Sequence, residues 1–83
     1  MKSIEQIKNE VRTYVTKITY VDKNKLDDDT LLLSEGCIDS MGIVSLVAFL
    51  TEKFCIEMQD EDLVEENFKS INAVVELVIR KTT

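Results

Sequence analysis

In DSMGIVSLVAFLTEKF, residues Asp39–Phe54, the apolar side chains Val44, Leu46, Val47, Leu50 and Phe54 recur at the spacing of one broad helix face. The Asp39-Ser40 pair before them suits a helix start, because a short polar side chain there accepts from backbone N–H groups that lack a partner within the helix. The spacing predicts a helix from Ser40 to Phe54.

Upstream, Ile4, Ile7, Val11, Val15 and Ile18 are three or four residues apart and predict a first amphipathic helix, with Ser3 and Gln6 placed for a capping box. From Asp22 to Glu35 this pattern dissolves into Asp, Lys and Asn before a Leu31-Leu32-Leu33 cluster, which predicts a long loop pinned by leucines, either functional or a strap across the core. Downstream, Asp60, Glu61 and Asp62 open a short segment with Leu63 and Val64, where acidic groups favour the positive end of a third, short helix. Ser70 then caps a fourth helix with a stripe of Ile71, Val74, Val75, Val78 and Ile79. With no proline, only Gly36 and Gly42 as glycines, and no repeat or linker, the expected fold is all-α: a four-helix bundle of three longer helices and one short, with a long loop between the first two.

Eighty-three residues suit one domain, residues 1–83, at the small end of what builds its own core. A net charge of -6 repels nucleic-acid phosphates and anionic headgroups, so neither nucleic acid nor membrane is an expected partner. No apolar run nears the roughly 20 residues of a membrane helix, and Met1–Glu10 alternates charges with Ile4 and Ile7 instead of carrying a signal-peptide core, so a soluble cytoplasmic protein is expected. The chain is also expected to be a monomer.

The absence of histidine excludes Ser-His-Asp and Cys-His catalysis and any metal site built on imidazole. Cys37 and Cys55 are too few and too far apart for a zinc site or a disulfide framework, and are taken as small hydrophobes. Asp27, Asp28 and Asp29 suggest calcium, but a calcium-loop template begun at Asp22 puts Leu26 at its fifth position, Asp27 where glycine is needed and Leu33 where the bidentate glutamate belongs. These charges are expected to be a solvated loop, and no metal site is expected.

What remains is Ser40, preceded by Gly36-Cys37-Ile38-Asp39 and followed by Met41-Gly42. Asp-Ser alone is an ordinary cap. A phosphodiester on this hydroxyl would nevertheless lie by the unpaired N–H groups and positive end of the second helix, with Gly42 leaving room for an arm.

The run Leu33-Ser-Glu-Gly-Cys-Ile-Asp39-Ser40-Met41 resembles the modification motif of the acyl carrier protein superfamily. The likeness extends over nearly the whole chain: the amphipathic first helix, the leucine-bearing loop, a second helix ending at Glu52-Lys-Phe54, the apolar-acidic-apolar Ile56-Glu57-Met58, and Asp60-Glu-Asp62. The resemblance implies that a separate phosphopantetheinyl transferase places 4′-phosphopantetheine from coenzyme A on Ser40, and that the arm's thiol then carries an acyl or aminoacyl thioester. It implies that Asp39 is the motif aspartate, important to recognition and modification. It implies too that Met41, with Val44 and Ala48 one and two turns on, faces partners, while Leu46, Val47, Leu50 and Phe54 pack inside.

Two features shift the likeness within the superfamily. Glu52 stands nearly alone among carboxylates on the second helix, unlike the acidic helix of fatty-acid carriers, and the Glu-Gly-x-x-Asp-Ser form resembles stand-alone aminoacyl and D-alanyl carriers. The implied partners are therefore the transferase and an adenylating enzyme, acyl ligase or acyltransferase. The competing class is an unmodified acidic helical adaptor of the same fold. An enzyme in its own right is remote, since neither cysteine has a histidine to activate it.

Overall fold

Ser3 starts the first helix of the computed structural model, which describes residues 3–82. Its hydroxyl accepts from the Gln6 N–H at 3.2 Å, and the Gln6 side chain accepts from the Ser3 N–H at 3.0 Å, completing the capping box of α1 (Ile4–Ile18). Ile7, Val11 and Val15 form its buried face and Ile18 packs at the edge, but Ile4, counted in the stripe from sequence, is 62% exposed. One turn beyond Ile7, it overhangs the end of the core.

The second long helix, α2 (Ser40–Phe54), has the boundaries its periodicity predicts. Leu46 and Leu50 are fully buried, and Ile43, Val47, Phe49 and Phe54 pack partly against the same core. Each fully buried leucine contributes about 1.5–3 kcal/mol over an exposed one. Val44 falls outside this face and is exposed.

Between these helices the chain runs from Thr19 to Asp39 with a single 3-10 turn at Lys23–Lys25. Leu26 and Leu32 are buried as pins, whereas Leu31 stays largely outside. The Leu32 N–H donates to the Lys69 carbonyl at 2.8 Å and the Asn72 N–H to that of Asp28 at 3.0 Å, lashing the loop across the start of the last helix. Asp28 is not simply solvated, as expected from sequence: its carboxylate pairs with Lys8 at 2.8 Å and with Arg12, both on α1. Asp29 accepts from the Asn72 side chain at 2.7 Å. The acidic run thus fastens the loop to two helices.

Gly36 ends this strap. With φ +72 it closes a turn in which the Gly36 N–H donates to the Leu33 carbonyl and the Cys37 N–H to that of Leu32, the paired bonds of a Schellman motif. Buried Leu32 and Cys37 form the apolar contact that accompanies such a motif, and Ile38 is buried beside them. Cys37 therefore fills space in the core. Cys55 does not: it caps α2 in the left-handed region, φ 53, with an exposed side chain.

The acidic segment differs from the sequence expectation. Asp60–Asp62 forms a 3-10 turn rather than the start of a helix, and α3 (Glu65–Phe68) begins only after Leu63 and Val64. Asp62 is taken up by other partners, accepting from the Gln59 N–H at 2.9 Å and from Lys81 at 2.7 Å, which ties the turn to the last helix. That helix, α4 (Ile71–Thr82), is capped by Ser70, whose buried hydroxyl accepts from the Ala73 N–H at 3.1 Å. It packs along α1 and against α3, so Ala73 and Leu77 are buried as well as Ile71, Val74, Val75 and Val78. Among the described residues there is no β-strand, and the four helices are three long and one short.

Candidate functional site

Asp39 is the N-cap of α2, held in an extended conformation while its side chain spans two anchors. Oδ1 accepts the Gly42 N–H at 2.9 Å, and Oδ2 accepts the Tyr20 hydroxyl at 2.7 Å. The phenolic hydrogen bond, followed by that from Gly42, holds the Asp39 carboxyl below the usual carboxylate range. The same bond and the neighbouring charge push the Tyr20 hydroxyl above its ordinary value.

The backbone brings Tyr20 to this position. Just past the end of α1, the Thr19 hydroxyl and the Tyr20 N–H both donate to the Cys37 carbonyl, at 2.9 and 2.8 Å, so the two ends of the long loop meet two residues before Asp39. Nothing in the periodicity signals Tyr20, because it is 72% exposed and belongs to no apolar stripe. The local hint is an aromatic residue just past the helix C-cap, outside the apolar stripe.

Ser40 is the first residue of α2, exposed, and its hydroxyl makes no hydrogen bond among the described residues. It borders an open cleft of about 280 Å³ lined by Leu33, Ile43, Leu63, Val64, Glu65 and Phe68. Leu63 and Val64, 49% and 45% exposed, were expected inside a short helix; as the link into α3 they form one wall of the cleft instead. An accessible, unpartnered hydroxyl at a helix start, opening beside an apolar groove, fits a phosphate-linked flexible arm with its cargo.

The other residues singled out from sequence lie around this point. Met41 is 70% and Val44 60% exposed, and Ala48 is exposed on the same side of α2. Gly42 sits tightly against the preceding residues: a Cβ there would lie 3.1 Å from the Cβ of Ile38 and 3.6 Å from Asp39 Oδ1. Burial, then the charge of Glu35, pushes the Cys37 thiol up, so three residues from Ser40 it is protonated at neutral pH and a poor nucleophile. Among the described residues, no helix is long and apolar enough to cross a membrane.

Comparison with known proteins agrees with this geometry. A family described as a phosphopantetheine attachment site matches residues 9–78, from within α1 to within α4. A protein of Mycoplasmopsis pulmonis (strain UAB CTIP) described as an acyl carrier protein homolog is 37% identical over 68 residues, covering 82% of this chain and 89% of its own length.

Proposed function

We propose that this chain, which belongs to the acyl carrier protein superfamily of phosphopantetheine carriers, holds its 4′-phosphopantetheine arm on Ser40 and carries an acyl or aminoacyl group as a thioester. The observation that carries this reading is the Ser40 hydroxyl: exposed, without a hydrogen-bond partner among the described residues, at the first residue of a long helix and at the mouth of an apolar cleft. Residues 1–83 are taken as one carrier domain acting in the cytoplasm as a monomer.

In this reading a separate transferase brings coenzyme A to the start of α2. The serine oxygen forms a bond to the phosphorus that bears pantetheine, the pyrophosphate P–O bond breaks, adenosine 3′,5′-bisphosphate leaves, and the serine proton passes to the transferase or solvent. The positive end of α2 favours the new phosphodiester. Asp39 orders the first turn through the Gly42 N–H, and the bare Cα of Gly42 lets Ile38 pack close against that turn, so its missing side chain makes room for Ile38 and not for the arm. Once bound, the arm supplies the thiol that holds the cargo. This chain's own residues present, shelter and release it to partner enzymes.

Met41, Val44 and Ala48 are the proposed partner contacts, being apolar, exposed and one turn apart beside Ser40. For the cargo, the Glu35-Gly36-Cys37-Ile38-Asp39-Ser40 form and the near absence of carboxylates on α2 favour an aminoacyl group activated by an adenylating enzyme. Loading assays on the armed protein separate the classes: transfer of an amino acid by such an enzyme supports the aminoacyl cargo, and loading only by a malonyl transferase or fatty-acyl ligase contradicts it. Attachment itself is tested by intact mass after incubation with coenzyme A and a permissive transferase, with Ser40→Ala as the control.

A further inference from the structure

Tyr20 stands out as an aromatic side chain that is ordered without being buried. At 72% exposure its ring gains little from the core, so what fixes its direction is the hydrogen bond from its hydroxyl to Asp39 Oδ2. The backbone does not depend on that hydroxyl. Thr19 and Tyr20 are already anchored on the Cys37 carbonyl by a side-chain and a main-chain bond, and the Val21 N–H donates to the Thr19 hydroxyl at 3.2 Å. The phenol therefore serves Asp39 more than the loop.

We propose that Tyr20 is a positioning residue for arming Ser40: its hydroxyl holds Asp39 in the rotamer that caps α2 through Gly42 and presents the motif to the transferase. This inference rests on Ser40 being the attachment residue. Without Tyr20, Asp39 is an exposed side chain at a helix start whose remaining ties are to backbone N–H groups, that of Gly42 first with lesser help from those of Asp39 and Met41, and these leave its second oxygen free to face solvent. Tyr20 removes that freedom before the transferase arrives, so ordering of the carboxylate is not left to the encounter. Nitrogen donors on the transferase can still reach the carboxylate, because each of its oxygens has a second acceptor site.

The test compares wild type, Tyr20→Phe, Asp39→Ala and the double variant, using coenzyme A and a phosphopantetheinyl transferase of broad carrier specificity, with initial rates read by intact mass. Tyr20→Phe keeps the ring and removes only the hydroxyl. The expected result is a rise of about threefold to tenfold in KM for the carrier, the scale of one ordinary hydrogen bond in contact with water, with kcat within about twofold. In the Asp39→Ala background Tyr20→Phe changes the rate by less than about twofold, because its effect passes through the side chain that is missing there. Amide exchange gives a readout independent of the transferase. Loss of the hydroxyl speeds exchange at Gly42 about threefold or more and leaves the Leu32 amide, bonded to Lys69, unchanged.

An unaltered KM in Tyr20→Phe, an equal loss in both backgrounds, or unaltered Gly42 exchange overturns the role of Tyr20. If wild type is armed on Ser40 in the same assay, the attachment reading survives that result. If wild type acquires no arm from an active transferase, both fall together.

Discussion

The Tyr20 hydroxyl donates to Asp39 Oδ2 at 2.7 Å across the closed ends of a long loop, while Oδ1 of the same carboxylate caps α2 at the Gly42 N–H. The residue in front of Ser40 is thus fixed from two sides by groups 19 and 3 residues away in sequence. One of those two contacts joins the end of the first helix to the site.

This arrangement has a pH signature. Asp39 is held below the ordinary carboxylate value, first by Tyr20 and then by Gly42, so its contribution to stability is complete above the unfolded value of about 4 and is lost as pH falls through the lowered folded value. Tyr20 is shifted upward, so its contribution is complete below about 10 and is lost as pH rises through the higher folded value. Titration of the Asp39 carboxyl carbon by NMR is expected to give a midpoint below that of an unstructured aspartate, and Tyr20→Phe to move it up. A wild-type midpoint at or above the ordinary value contradicts the bond.

Asp28 is expected to matter for stability although its carboxylate is partly exposed. It meets both Lys8 and Arg12 and joins the loop to α1, so Asp28→Asn should cost about 0.5–1.5 kcal/mol in urea unfolding. The loss should shrink in high salt, since screening weakens the pairs in the wild type. An equal or larger loss at high salt would argue that the carboxylate acts by some means other than charge.

Two positive-φ positions give predictions of opposite sign. At Gly36 a Cβ would meet nothing within 4 Å, so Gly36→Ala costs only the left-handed backbone, about 1 kcal/mol. Cys55 already bears that cost at the end of α2, and its side chain is exposed, so Cys55→Gly should gain about 0.5–1 kcal/mol. In thermal melts of a domain this size, 1 kcal/mol moves Tm by about 4–8 °C. Stabilisation by Gly36→Ala or destabilisation by Cys55→Gly would refute the backbone argument.

Val44 tests the proposed partner face. It is 60% exposed and outside the core, so Val44→Asp should change unfolding free energy by less than about 0.5 kcal/mol. Placed beside Ser40, the new charge and lost apolar contact should slow arming or loading about tenfold. Normal rates with every partner tested would remove Val44 from that face.

The helices were legible where periodicity and caps coincided. Ser3 with Gln6, Ser70, and the Leu46 and Leu50 face each announce themselves within a few residues, because the interactions that fix them are local or set by helical spacing. Ser40 and Asp39 were legible as a motif at a helix start. Tyr20 was not, since its partner is 19 residues away and joins only when the loop closes. Asp28 looked like a solvated charge for the same reason: Lys8 and Arg12 are neighbours only after folding. The start of α3 differs from the sequence expectation because Asp60–Asp62 looks like a helix start, yet Asp62 is better satisfied by Lys81 and the Gln59 N–H, which leaves Leu63 and Val64 outside the helix, beside the cleft.

The most direct measurement of the central claim is the intact mass of the protein after reaction with coenzyme A and an active phosphopantetheinyl transferase, followed by fragmentation to locate the added group. The account predicts one phosphopantetheine per chain, mapped to Ser40 and absent from Ser40→Ala. An unchanged mass, or an arm that persists in Ser40→Ala, contradicts it.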